Sequence, residues 1–145
     1  MSKLKLDIDG LEDDFFAGSR MLGLMCQLKN YRFCWMLNAC LHFDFRLSTD
    51  HEVQLKKKGR YYFFQVYEFY ETGNELQHFI YQNQFEGEYL LPEFKHFDFL
   101  WLIQATIIPD DYFRGLQQSL KELKEIQLIT ELVQEKIKHK ANLIL

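Results

Sequence analysis

Glu93, His96 and Asp98 fall within six consecutive residues, directly after Pro92. Two carboxylates and an imidazole this close together can do general acid–base work. His96 and Asp98 are two apart, so on a strand they share a face, and a hydrogen bond between them would set the imidazole tautomer. Arg32, which sits with Tyr31, Trp35 and Asn38 in a helical stretch, can serve as an anion hook in a pocket. The structural alternative reads the same residues differently. Pro92 breaks a strand, Glu93 accepts loop amides, and Asp98 starts the next strand or pairs with Arg32. Trp35 is then core, and Arg32 neutralises Glu93 or Asp98. A bare carboxylate pair without a partner motif favours this second account. No catalytic residue is assigned on this basis. Arg32, Trp35, Pro92, Glu93, His96 and Asp98 stand as a ligand-binding or structural motif.

Other chemistry finds little support. The histidines, His42, His51, His78, His96 and His139, form no H-x-H or H-x-x-x-H pair, so no structural metal is predicted. No G-x-S-x-G, P-loop or G-x-G-x-x-G occurs, and no cofactor is predicted. Lys56-Lys57-Lys58-Gly59-Arg60 lies beside aromatics and could touch RNA or a phosphate, but it reads as a solvated hairpin tip that protects a sheet edge. With 17 Lys and Arg against 21 Asp and Glu, the net charge of −4 argues against nucleic acid as the main partner.

The three cysteines, Cys26, Cys34 and Cys40, have no C-x-x-C spacing and suggest reduced thiols in the cytoplasm. No signal peptide is expected, because Leu4, Leu6 and Ile8 alternate with charge. The run Phe97 to Ile103 is interrupted by Asp98 and is too short for a bilayer.

The elements that must position these residues follow from periodicity. Fourteen Phe and eight Tyr lean the composition towards sheet. Leu4 to Ile8 alternates as a half-buried strand, and Glu12 to Phe16 is an acidic turn followed by aromatics. Met21 to Cys26 fits a strand or a helix entry. Lys29 to Leu41 predicts a helix with Asn30 as N-cap and a narrow polar face, hence covered on most sides. Glu52 to Lys56, Arg60 to Glu71, Leu76 to Gln84, Tyr89 to Leu91 and Phe97 to Thr106 predict an antiparallel meander with turns at Lys57-Lys58-Gly59, Thr72-Gly73-Asn74 and Phe85-Glu86-Gly87. Pro109-Asp110-Asp111 starts a helix whose stripe is Phe113, Leu116, Leu120 and Leu123. Ile126 to Val133 is a last strand, Glu135 to Lys140 a charged turn or short helix, and Asn142 to Leu145 an apolar end.

The stretch Leu91-Pro92-Glu93-Phe94-Lys95-His96-Phe97-Asp98-Phe99 resembles the signature of the bacterial IPExxxVDY family. Pro92, Glu93 and Asp98 match it, while Leu91, Phe97 and Phe99 stand where the family has Ile, Val and Tyr. Lys29 to Asn38 and Asn142 to Leu145 are similar to that family too, so the likeness extends over nearly the whole chain. The resemblance implies a bacterial protein and brings no assigned activity. A family role for a phenolic hydroxyl at position 99 cannot apply to Phe99.

These readings predict one α+β domain over residues 1–145, with an antiparallel sheet of five to seven strands and two main helices on one face. Arg60 to Tyr70 is aromatic on both faces, and two helices cannot cover both. The uncovered face predicts a homodimer that buries it. The function expected is a non-enzymatic cytoplasmic binding or assembly module, associating with itself and with neither nucleic acid nor membrane. The alternative is a small enzyme or ligand-binding protein with its site around Glu93, His96, Asp98 and Arg32.

Overall fold

The computed structural model describes residues 15–145. The strand expected over Leu4–Ile8 and the start of the acidic turn at Glu12 lie outside the described residues.

The architecture is α+β, as the periodicity predicts: among the described residues, a six-stranded antiparallel sheet with two main helices, plus a separate two-stranded ribbon. The long hairpin comes from β2 (Arg46–Lys57) and β3 (Arg60–Glu71). Its two loop residues, Lys58 and Gly59, both have positive φ, the geometry that matches the twist of a tight hairpin. β2 begins six residues earlier than expected, because a bulge between Leu47 and Glu52 carries it past an irregular stretch. Ser48 Oγ holds that bulge by accepting the His51 N–H at 2.9 Å. β4 (Leu76–Gln82) returns along β3. The ribbon of β5 (Gln84–Phe85) and β6 (Glu88–Tyr89) then leads to a 3-10 turn at Pro92–Phe94 and to β7 (Phe99–Gln104), which pairs with β4.

The meander ends there. β1 (Arg20–Cys26) lies between β7 and β8 (Ile126–Glu131), giving the order β2-β3-β4-β7-β1-β8. Met21, Leu22, Gly23 and Leu24 are all buried. A strand buried on both faces is apolar without alternation, which is why its sequence also fits a helix entry.

α1 (Asn30–Leu41) and α2 (Asp110–Lys121) pack on the same face. Phe113, Leu116 and Leu120 of α2 are buried as the stripe predicts. Lys29, not Asn30, occupies the N-cap position of α1, and no side chain caps it. Asn30 is the first helical residue, and its amide nitrogen donates to Gln65 on β3, tying the helix start to the sheet. At the other end Asn38 exchanges two hydrogen bonds with the backbone of Phe45, at 2.8 and 3.0 Å. Phe33 of α1 stacks on Phe99 of β7 with centroids 4.2 Å apart.

The second sheet face is also covered, and this removes the ground on which the homodimer was expected. Phe64, Val66, Phe79, Tyr81, Leu100 and Leu102 are buried beneath Leu90, Leu91 and Phe97 and beneath Leu132, Ile137 and Leu143. Tyr81 donates its hydroxyl to the Leu143 carbonyl at 2.6 Å, so the last segment is pinned to mid-sheet. Segments with no periodicity of their own supply the missing layer.

Candidate functional site

The Pro92 loop is organised from below by Asn83, a fully buried residue between β4 and β5. Asn83 Oδ1 accepts the Leu91 N–H at 2.9 Å, and Nδ2 donates to the carbonyls of Phe94 and Phe97 at 3.0 and 2.9 Å. Its own backbone N–H donates to Asp98 O, and its carbonyl accepts from Leu90. A buried amide with every group satisfied fixes one loop conformation. In the sequence Asn83 falls inside the predicted strand Leu76 to Gln84. It is the middle of three consecutive amides, Gln82-Asn83-Gln84, and nothing local marks it as the buried one.

Glu93 and Asp98 both spend their oxygens on backbone amides. Glu93 Oε2 accepts from Lys138 at 2.6 Å and His139 at 2.9 Å, while Oε1 lies 2.8 Å from His139 Nδ1. Burial pushes the Glu93 carboxyl up, but bonds from its own amide, from the His139 amide and ring and from the Lys138 amide outweigh it. The net effect holds it below the usual carboxylate range. Asp98 Oδ2 accepts the Cys26 N–H at 2.8 Å, and the Asp98 N–H donates to Leu24 O at 2.9 Å, so this residue fastens the loop to the end of β1. Burial raises the Asp98 carboxyl above its ordinary value, and the Cys26 amide opposes this only in part.

The expected acid–base constellation is not assembled. His96 is exposed, with its ring 4.0 Å from that of Phe97, and makes no hydrogen bond with Asp98. Arg32 is exposed on α1 and pairs with neither Glu93 nor Asp98, which corrects the ion pair expected there. Pro92 sits at the start of the 3-10 turn, half-buried. The loop therefore acts as a clasp that joins β1, β4 and the last segment of the chain.

Trp35 is the larger correction: read as core, it is 70% exposed, and Tyr31, one turn earlier, is 58% exposed. With about 3.6 residues per turn, Tyr31 and Trp35 fall on the side opposite Phe33 and Leu37, which face the sheet. The narrow polar face of α1 arises because its outer side is aromatic. Leu47, Tyr61 and Phe63 are exposed as well. Leu47 pairs with Tyr67, and Tyr61 and Phe63 alternate with Gln65 and Tyr67, so all three lie on the helix-bearing side of the sheet. The bond from Asn30 to Gln65 sets the start of α1 beside this uncovered end of β3.

A second cluster escaped the sequence reading. His78 is fully buried, with Nδ1 accepting the Trp101 Nε1–H at 3.0 Å. That bond leaves the proton of the neutral ring on Nε2. Nε2 lies 3.5 Å from Glu71 Oε2 and 3.4 Å from the Tyr112 hydroxyl, which itself donates to Glu71 Oε2 at 2.9 Å. Burial lowers the His78 imidazole below its ordinary value, and the Glu71 charge opposes this. Burial likewise raises the Tyr112 phenol, reinforced by its bond to Glu71. The signal was present as a lone histidine in the alternation Leu76, His78, Ile80. Glu71 lies just across the turn between β3 and β4, but Trp101 on β7 and Tyr112 on α2 are far away in sequence.

Among the described residues no three His, Cys, Asp or Glu side chains form a metal-sized cluster, and no helix is long and apolar enough to cross a membrane. No protein-family model matches the chain, and no curated protein matches it.

Proposed function

We propose that this chain is a non-enzymatic cytoplasmic binding and assembly module that forms a homodimer through an aromatic surface on its helix-bearing side. The observation that carries this reading is the exposure of Trp35 and Tyr31 on α1 and of Leu47, Tyr61 and Phe63 on the same side of the sheet. Exposed aromatics on one side of a small domain mark an interaction site, and Trp and Tyr are the residues that dominate such contacts. A second copy is the occupant we assign. β2 forms one edge of the sheet, and its twelve residues run beside the aromatic surface. Association about a two-fold axis is self-complementary and brings the two surfaces together.

The resemblance to the IPExxxVDY family belongs to the same proposal, and the roles of Glu93 and Asp98 as backbone acceptors support it. A motif that clasps the fold would keep its carboxylates without any substrate. Light scattering on eluting protein, comparing wild type with a Tyr31→Ser/Trp35→Ser variant, tests the reading. A dimer reduced to monomer by the substitutions supports it, and a monomeric wild type contradicts it.

A further inference from the structure

A cavity of about 360 Å³ opens between α2 and the connection that leaves α1. Leu41, Phe43 and Leu116 form its apolar wall, and Glu71, Asp111 and Tyr112 its polar side. The lining includes no Lys or Arg. Asp111 already pairs with Arg114 at 3.0 Å. Glu71 differs: its side chain is only 24% exposed, and among the described residues its one basic partner within pairing distance is His78. Buried in contact with Trp101 and Phe69, His78 favours its neutral form, so it brings a hydrogen and no cation. Tyr112 is neutral as well, and its hydroxyl turns the carboxylate into position. Carboxylates drawn into apolar surroundings are normally matched by a positive charge. The Glu71 charge faces a cavity instead.

We propose that this cavity binds a small organic cation, an ammonium group on an apolar or aromatic body, with Glu71 as its counter-ion. Tyr112 and His78 hold one Glu71 oxygen, leaving the other to accept the ammonium N–H bonds. The body of the ligand packs on Leu41, Phe43 and Leu116. The pairing depends on charge and shape together, as pockets of this size usually do. It involves none of the exposed residues assigned to self-association.

The test uses phenethylammonium chloride, the neutral phenethyl alcohol and the anionic phenylacetate, each titrated into nitrogen-15-labelled protein. Saturable shifts of the Tyr112, Gly115 and Leu116 amides are expected with phenethylammonium. Its affinity should exceed that of the alcohol by at least about tenfold, with no binding of phenylacetate. Glu71→Gln keeps an acceptor for Tyr112 and should remove that tenfold preference. Gly115→Leu provides an independent variant, because a Cβ on this cavity-lining residue meets nothing within 4 Å. Its side chain should fill the cavity and abolish binding of both neutral and cationic probes. Absence of saturable shifts at these amides, or equal affinity for the alcohol, overturns the proposal. So does undiminished ammonium binding by either variant; if Glu71→Gln does not fold, Gly115→Leu and the wild-type comparison decide.

Discussion

The ring of Phe97 rests on Gly23 in the middle of β1, so closely that a Cβ at position 23 would stand 2.6 Å from the ring. Glycine in a central strand weakens it, and here its purpose is to admit an aromatic from the Pro92 loop. Gly23→Ala should force Phe97 out of place and destabilise the fold by about 1–3 kcal/mol. Urea unfolding measures this. Trimming the ring in a Gly23→Ala/Phe97→Leu double variant should cost less than the two single changes added together. Additive costs, or a Gly23→Ala protein as stable as wild type, would contradict the contact.

Glu93 and Asp98 make opposite predictions. Glu93→Ala leaves the Lys138 and His139 amides without their acceptor and should cost about 1.5–3 kcal/mol at neutral pH. The folded carboxyl titrates below its ordinary value of 4.5, so its stabilisation is present above that pH and is lost as pH falls through the folded value. Asp98 titrates above its ordinary 3.8. Its charged form is therefore the disfavoured one, and stability declines as pH rises through the folded value. Asp98→Asn keeps an acceptor for Cys26 and should match or exceed wild-type stability at pH 7, whereas Asp98→Ala should lose about 1.5–3 kcal/mol. If both Ala variants melt like wild type, the clasp is not structural.

His78 predicts an acid-sensitive fold. The groups facing it are Glu71 on β3, Tyr112 on α2 and Trp101 on β7. Its folded pKa lies below the ordinary 6.5, so the unfolded chain takes up the proton first. Stability from this residue is complete above pH 6.5 and is lost as pH falls from there towards the folded value. Melting curves of wild type should slope downward across that window, and those of His78→Gln should be flatter. Equal slopes would show that His78 is not held neutral.

The thiols should separate by burial. Cys26 and Cys34 are buried, with burial raising both pKa values, while Cys40 is exposed. The thiolate is the reactive form. One thiol should therefore react quickly in the native protein and all three in denaturant, without prior reduction. Rapid native labelling at Cys34, or fewer than three in denaturant, would contradict this.

The helix α2 was legible because it buries one stripe and writes that as a period, whereas β3, β4 and β7, buried on both faces, were legible as aromatic and apolar runs bounded by turn signals. β1 was ambiguous because it is buried on both sides. The layer over the second face was illegible for a different reason. Leu132, Ile137 and Leu143 reach it from segments with 3-10 turns and no repeating pattern, so nothing local announces their target. Trp35 misled because the type of a residue does not reveal which side of a helix faces solvent. The chemistry of the Pro92 stretch was legible as residue types only. What those residues accept, the amides of Cys26, Lys138 and His139, depends on contacts up to 72 positions away.

Sedimentation equilibrium at micromolar concentration tests the proposed assembly most directly, run on wild type and on a Trp35→Ser variant. Trp35 is exposed and its loss should leave the fold intact, so any change in mass reports on association. The account predicts a wild-type mass near twice 17.6 kDa and a variant shifted towards 17.6 kDa. A wild type near 17.6 kDa, or a dimer that Trp35→Ser leaves unchanged, would contradict it.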